Sequence, residues 1–339
     1  MSDYNHSHRA FLQAFMARST MTYEEACPIL AAILSIYERN PISPEDVSED
    51  DFYSYIATAN SAISPFDLEI CSTTRQVTLE PGAEAVRPEP IFVLVNTSSD
   101  PLTQLATAFS ADEIAFVKRV LDYMFDTNNT RRCEAMVVSG IQAMQLAKAS
   151  SGDANRRETQ GGATQQTQGG AAQSLSMTQA ETVMKQLVED GWMEKSRKGF
   201  YSLGVRGLME LRGWLIATYN EEDEDGRKIT RIKKCSACQD IITVGRRCGD
   251  RDCGGRLHDT CVRNFFRVQK AEKCPVCKGD WPDDKFVGER AITSTNGHRT
   301  EKRRSTQVQR PSAVGPSSQV PSDAMDGPAD SPADEADSD

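Results

Sequence analysis

Seven of the ten cysteines fall between Cys235 and Cys277, in the order Cys235-x2-Cys238-x9-Cys248-x4-Cys253-x4-His258-x2-Cys261-x12-Cys274-x2-Cys277. Two residues between paired cysteines form a knuckle that turns both thiolates toward one ion, and eight soft or borderline ligands suffice for two closed tetrahedral zinc sites. The knuckles can pair in more than one way. An interleaved pairing puts Cys235, Cys238, His258 and Cys261 on one zinc and Cys248, Cys253, Cys274 and Cys277 on the other, so that each ion ties distant parts of the segment together. With Zn²⁺ and deprotonated thiols, the all-cysteine site carries a formal charge of about -2 and the histidine-bearing site about -1. Lys233, Lys234, Arg246, Arg247, Arg251 and Lys273 lie beside the ligands and can offset that charge. Large apolar side chains are few between Cys235 and Trp281, so metal must supply most of the folding energy there. Two zinc ions are the expected cofactors.

No set for covalent catalysis accompanies them. His258 is committed to metal, His6, His8 and His298 lie toward the termini, and neither a Ser-His-Asp nor a Cys-His arrangement is visible. Cys27, Cys71 and Cys133 are isolated and are expected as small buried hydrophobes.

The elements that must carry this cluster are spread over 339 residues, enough for two or three units, with 38% hydrophobic and 26% charged residues and a formal net charge of -10. No apolar run is long enough for a membrane helix and the first residues lack a secretory signal, so a soluble, intracellular protein is expected. Phe11, Leu12, Phe15 and Met16 share a helical face; a capping box from Thr22 to Glu25 opens a second helix with Ala26, Ile29, Leu30, Ile33, Leu34 and Tyr37 inward. A third helix carries Phe52, Tyr55, Ile56, Ala59 and Ile63, and alternation then predicts a hairpin ending at Ile91 to Val95. The order recurs downstream. Ser110 and Glu113 cap a helix bearing Val117, Val120, Leu121 and Phe125; a second follows through Met136, Val137, Ile141 and Met144; a third starts at Ser176 and stops at Gly191. Trp192 to Lys195 and Phe200 to Leu203 flank a turn, and a helix from Val205 to Tyr219 closes the unit. Three helices with a trailing hairpin describe a winged helix.

The expected fold is therefore mainly α with small β: a first winged helix at 7–96, a second at 97–219, a linker at 220–234 around the acidic run Glu221 to Asp225, the zinc finger at 235–281 and a disordered tail at 290–339. Residues 149–174 contain no Ile, Leu, Val, Met, Phe, Trp or Tyr and read as a disordered insertion in the second winged helix.

The segments CSAC, RLHDTC and CPVC, in this order, resemble a RING-type finger with His as fifth ligand, and CPVCKGDW behind two winged helices resembles the first non-SMC element of the Smc five/six chromosome complex. The resemblance covers 7–219 by architecture and 235–281 by motif. It implies a RING-type ubiquitin-protein transferase subunit that positions a ubiquitin-loaded conjugating enzyme, binds a MAGE-type partner and the kleisin subunit, and serves DNA repair and recombination in the nucleus. Conjugating-enzyme contact then falls to Ile241, Ile242, Pro275 and Val276, with Lys278 as the donor that holds ubiquitin closed. Ala237 stands where many RING ligases place Ile or Leu, and four residues rather than the frequent two separate Cys248 from Cys253.

Two other classes compete. A histone-tail reader of the PHD type shares the ligand order but places Trp two residues before the seventh ligand, where this chain has Glu272. A DNA-reading winged helix would want a basic recognition helix. Thr178 to Asp190 instead carries Glu181, Glu189 and Asp190 against Lys185, leaving the wing's Lys195, Arg197 and Lys198 as the basic tip for weak, non-specific DNA contact. Lys302-Arg303-Arg304 reads as a nuclear import signal or a solvated basic run, ahead of an acidic tail.

Overall fold

The computed structural model describes residues 4–79, 89–97, 108–148, 173–222 and 228–294. The expected insertion, apart from its last two residues, and the expected tail beyond 294 lie outside them.

The first unit runs α1 (His6–Arg18), β1 (Thr20–Thr22), α2 (Tyr23–Glu38), α3 (Glu49–Ile63), β2 (Leu68–Thr74) and β3 (Pro90–Asn96). Side chain and backbone close reciprocal capping boxes at Thr22 with Glu25 and at Ser48 with Asp51, so both helices begin where their orphan N–H groups find partners. Phe11, Phe15, Leu30, Phe52 and Phe92 fill the core, and the Phe52 ring meets Phe92 edge-on at 4.8 Å. Two residues expected inward are not: Met16 and Tyr37 are exposed. Phe11 and Phe15 already occupy the i, i+4 stripe of α1, which turns Met16 outward, while the Tyr37 hydroxyl sits at the rim accepting from Asn5 Nδ2 at 3.3 Å.

The second unit repeats the order with α4 (Ala111–Asp122), β4 (Val138–Ser139), α5 (Gly140–Gln145), α6 (Met177–Glu189), β5 (Met193–Lys195) and β6 (Phe200–Leu203). Its antiparallel sheet, β4-β6-β5, has the same strand order as β1-β3-β2. Gly199, at φ 80, makes the β5–β6 turn that its N–H closes onto the Ser196 carbonyl at 2.9 Å.

Three expectations are corrected here. Met136 and Val137 lie outside the helix expected there, Met136 at φ 47, because the Ser139 and Gln142 capping box starts α5 only at Gly140, with Ile141 exposed on it. The closing helix is split at Leu211 into α7 (Val205–Glu210) and α8 (Arg212–Tyr219). The region expected as a linker forms an antiparallel pair, β7 (Asn220–Glu222) with β8 (Lys228–Thr230). Asn220 fixes its base: its side chain donates to the Ile232 carbonyl at 3.1 Å and accepts from the Ile232 N–H at 2.8 Å, and Ile232 enters the second unit's core.

The two units touch through α7, where Val205 and Met209 cover Ile91, Val93 and Val95 of β3. Among the described residues, no helix is long and apolar enough to cross a membrane.

Candidate metal centre

The cysteine-rich segment adds β9 (Gly245–Arg247), β10 (Arg256–Leu257), α9 (Asp259–Gln269) and β11 (Phe286–Val287), the strands forming an antiparallel sheet in the order β10-β9-β11. Two knuckles of matching geometry project from it. In the first, Gln239 N–H donates to the Cys235 carbonyl at 3.0 Å, and Lys234 pairs with Ile241 across the loop. In the second, Lys278 N–H donates to the Cys274 carbonyl at 3.1 Å, and Lys273 pairs with Asp280. The residue after each Cys-x2-Cys is left-handed, Gln239 at φ 66 and Lys278 at φ 62, which curls the backbone so that both sulfurs face inward.

The knuckles serve different sites. Cys235 and Cys238 gather with His258 and Cys261, Cys274 and Cys277 with Cys248 and Cys253, and within each group the ligand atoms lie within 4.8 Å of one another. The interleaved pairing is the one the fold builds. The sulfurs of Cys248 and Cys277, and those of Cys253 and Cys274, are 3.6 Å apart. A disulfide would need about 2.05 Å, and thiolates held at about 2.3 Å on a tetrahedral zinc stand about 3.8 Å apart. The donor sets therefore fit two closed structural zinc sites. His258 presents Nδ1 to the first, 3.3 Å from Cys238 Sγ, while Nε2 points at the Ile241 carbonyl 3.4 Å away; that contact selects the tautomer with a free Nδ1 lone pair. Backbone N–H groups face the sulfurs too: Ala237 to Cys235 and Gly255 to Cys253, each at 3.4 Å. The Gly279 amide, helped by neighbouring thiols, pulls Cys277 down to about 7, while burial pushes its partners Cys248 and Cys253 up.

The finger is bolted to both winged helices by groups that local sequence did not mark. Glu134, from the irregular stretch before β4, is buried and takes a two-pronged hydrogen bond from the fully buried Arg256, at 2.6 Å to Nε and 2.5 Å to Nη2. Lys233 also pairs with it, and Arg247 Nη1 lies 3.5 Å away. Burial alone would raise the Glu134 carboxyl, but the Arg256 hydrogen bonds and charge, with Lys233, hold it at about 2. Arg256 in turn donates to the carbonyls of Cys253 at 2.8 Å and Gly255 at 2.7 Å, shaping the loop of the all-cysteine site. Three cations against one carboxylate leave a positive surplus, the sign that metal-thiolate sites of negative formal charge call for.

The first unit reaches in from beyond β2. Gln76 donates to the Ile241 carbonyl at 2.7 Å and accepts from the N–H groups of Thr243 and Val244 at 2.9 and 3.0 Å, so it shares Ile241 with His258. Leu79 N–H donates at 3.0 Å to Asp259, the buried first residue of α9, which also pairs with Arg290 at 2.9 Å and Arg246 at 3.4 Å. Neither Glu134 nor Gln76 belongs to a motif; each is identified only by what it meets.

Of the expected conjugating-enzyme contacts, two are withdrawn. Ile241 and Ile242 are 3% and 1% exposed, because Ile241 packs with Ile232 and Val287 into the second unit's core. Val276 is 57% exposed, Pro275 half-buried, and the exposed Lys278 turns its Nζ back onto the Pro275 carbonyl at 3.0 Å. On the wing, Lys195 lies over the Tyr201 ring at 5.0 Å and Lys198 pairs with Glu289 at 3.7 Å, so little of the expected basic tip stays unanswered. Cys27 is buried as expected; Cys71 and Cys133 are only half-buried.

Comparison with known proteins matches residues 235–277 to the RING-like domain. The chain is 22% identical over 277 residues to the human protein called non-structural maintenance of chromosomes element 1 homolog, covering 82% of this chain and 84% of that protein. It is 27% identical over 183 residues to the Saccharomyces cerevisiae non-structural maintenance of chromosomes element 1, covering 52% of this chain and 51% of that one. A solved chain of an Nse1-Nse3-Nse4 complex superposes with a TM-score of 0.58 at 20% identity, over 83% of this chain and 99% of that chain, which is a likeness of fold. The family model described as the Nse1 non-SMC component of the SMC5-6 complex matches residues 8–211, well over half of the chain, and the chain belongs to that family.

Proposed function

We propose that the chain is a RING-type ubiquitin-protein ligase subunit of an Smc five/six complex, working in the nucleus in DNA repair and recombination. The observation that carries the reading is the cross-braced pair of four-ligand sites with Pro275 and Val276 displayed on the second knuckle. Such a finger needs no nucleophile. It holds a ubiquitin-loaded conjugating enzyme so that a substrate lysine attacks the thioester, which is catalysis by positioning. Zinc, when bound, supplies folding energy and rigidity rather than chemistry. The winged helices hold the MAGE-type and kleisin partners, a reading supported by the likeness to a chain solved in an Nse1-Nse3-Nse4 complex.

The test is a reconstituted ubiquitination assay with and without the MAGE-type partner, run on wild type and Val276→Glu. Val276 lies between two ligands and points outward, so a charge there costs about 1 to 3 kcal/mol at a docked interface and nothing at the metal. Loss of ubiquitin discharge with zinc content and subunit assembly unchanged is expected. A second reading, a non-catalytic scaffold, is favoured by the burial of Ile241 and Ile242, which shrinks the docking surface. It predicts no discharge by wild type with any conjugating enzyme, partner present or not.

A further inference from the structure

A crevice of about 430 Å³ opens where the first winged helix, the α7–α8 corner and the first zinc knuckle meet. Ser72, Thr73 and Thr74 of β2 border it on one side, and the half-buried Leu208, Met209 and Trp214 on the other. β2 is an edge strand, hydrogen-bonded to β3 alone. Its seven residues contain neither Pro nor Lys, whereas the other edges of the three-stranded sheets, β1, β4, β5, β10 and β11, have three residues or two. Short edges resist pairing with another chain, and a long uncharged one invites it.

The register shows which groups are open. Asn60 donates to the Ile70 carbonyl at 3.0 Å and accepts from its N–H at 2.7 Å, so both main-chain groups of Ile70 point away from β3. Antiparallel strands alternate, so those of Ser72 and Thr74 point the same way, while Cys71 and Thr73 pair with Val93 and Ile91. Asn60 closes the edge at Ile70; among the described residues nothing closes it at Ser72 or Thr74, both of which are exposed. Glu210, 8% exposed, also lines the crevice. Its Oε1 accepts from Arg206 Nε at 2.7 Å, but its Oε2 is buried with no hydrogen-bond partner, the one carboxylate oxygen so left among the described residues. Burial raises the Glu210 carboxyl although Arg206 pulls the other way, so its charge is under-compensated. The other two charged groups of the crevice, Arg212 and Asp240, answer each other at 3.5 Å.

We propose that this crevice binds an extended segment of another protein, which adds as a fourth strand on the Ser72–Thr74 edge and brings a lysine or arginine to Glu210. Three features choose that occupant. Open N–H and C=O groups at alternate residues complement an extended backbone and not a helix, whose own groups are already paired. Trp214 and Met209 are of the types that interface cores favour. The unanswered carboxylate oxygen calls for a cationic donor, which forms the stronger, charge-assisted bond. Ubiquitin transfer does not enter, since Pro275 and Val276 lie on the other knuckle.

The test selects binders to the full-length, zinc-loaded protein from a phage-displayed library of random peptides of about six residues, a usual strand length, and measures synthetic copies by fluorescence anisotropy. Recovered peptides should alternate apolar and polar residues and share a lysine or arginine. Ser72→Pro removes an outward N–H without touching the ladder to β3, and it should weaken the peptides at least about tenfold with zinc content and thermal unfolding as in wild type. Thr74→Pro serves the same purpose should Ser72→Pro misfold. In the unsubstituted protein the amides of Ser72 and Thr74 should gain protection from hydrogen exchange when peptide is added. Glu210→Gln, and glutamine in place of the peptide's cation, should each cost at least about tenfold, and together no more than either alone. The proposal is overturned if the library yields no binder, if the binders tolerate both proline variants and leave the amides unprotected, or if they bind Glu210→Gln as tightly as wild type. It is equally overturned if the protein alone sediments as a dimer that Ser72→Pro dissolves, which would make a second copy the occupant.

Discussion

At the scale of single residues, the two zinc sites depend on groups that are not ligands. Gly255 sits against the all-cysteine site so closely that a Cβ there would lie 2.5 Å from Cys274 Sγ. Gly255→Ala must therefore push that sulfur off its tetrahedral position, and loss of one zinc of the two, read by metal analysis, is expected, with the first site retained at neutral pH. Glu134 makes a different point. Removing its charge leaves Arg256 buried without its partner, so Glu134→Gln should cost about 3 to 5 kcal/mol at pH 7. Because the folded carboxyl is held at about 2 against an ordinary 4.5, its contribution is complete above 4.5 and disappears as pH falls through 2. The gap in urea midpoint between wild type and Glu134→Gln should narrow over that window; metal loss in acid acts on both proteins and cancels in the difference. A gap that stays constant with pH would show that the carboxylate charge is not what Arg256 needs.

At the scale of elements, the repeat of two winged helices is written in their strand orders, but the second one carries a long insertion between α5 and α6. The flanks of the insertion are joined: Leu175 N–H donates to the Ala147 carbonyl at 2.9 Å. A short connection therefore spans the gap without strain. Deleting residues 150–172 in favour of a few glycines and serines should leave thermal unfolding unchanged or raise stability by about 1 kcal/mol, since each halving of a loop saves about 0.6 kcal/mol. Destabilisation by several kcal/mol, or loss of partner binding, would mean that the segment packs. α6, in the position of a recognition helix, commits Lys185 to Glu189, which favours protein contact over phosphate contact at that helix.

At the scale of the whole molecule, the finger is not a module on a tether. Ile232, Ile241 and Val287 belong to the core of the second winged helix, and Gln76 and Leu79 bring in the first. Excised as residues 230–285, the finger should still take up two zinc ions and unfold on chelation, but it should melt well below the intact protein and release zinc faster to a chelator. Equal melting temperatures and release rates would sink the coupling. In the intact chain, chelation should expose apolar surface at this junction while the first winged helix, whose core contains no finger residue, keeps its helical signal.

What the sequence determined alone was local in its physics. Ligand identities followed from spacings of two to twelve residues, and helix starts from capping boxes three residues wide, because those signals close within one loop or one turn, whereas the sharing of the ligands between the two sites was settled by the fold. The tertiary structure decided the rest. Ile241 and Ile242 have the residue type and position of docking side chains, yet they are buried, since burial depends on what packs over a residue and not on its neighbours in the chain. The linker became a hairpin because Asn220 finds Ile232. Glu134 and Arg256 are 122 positions apart, Gln76 and Ile241 165 apart. At such separations a carboxylate or an amide carries no sign of its partner; only the folded chain brings together the donor and acceptor whose desolvation forces them to pair.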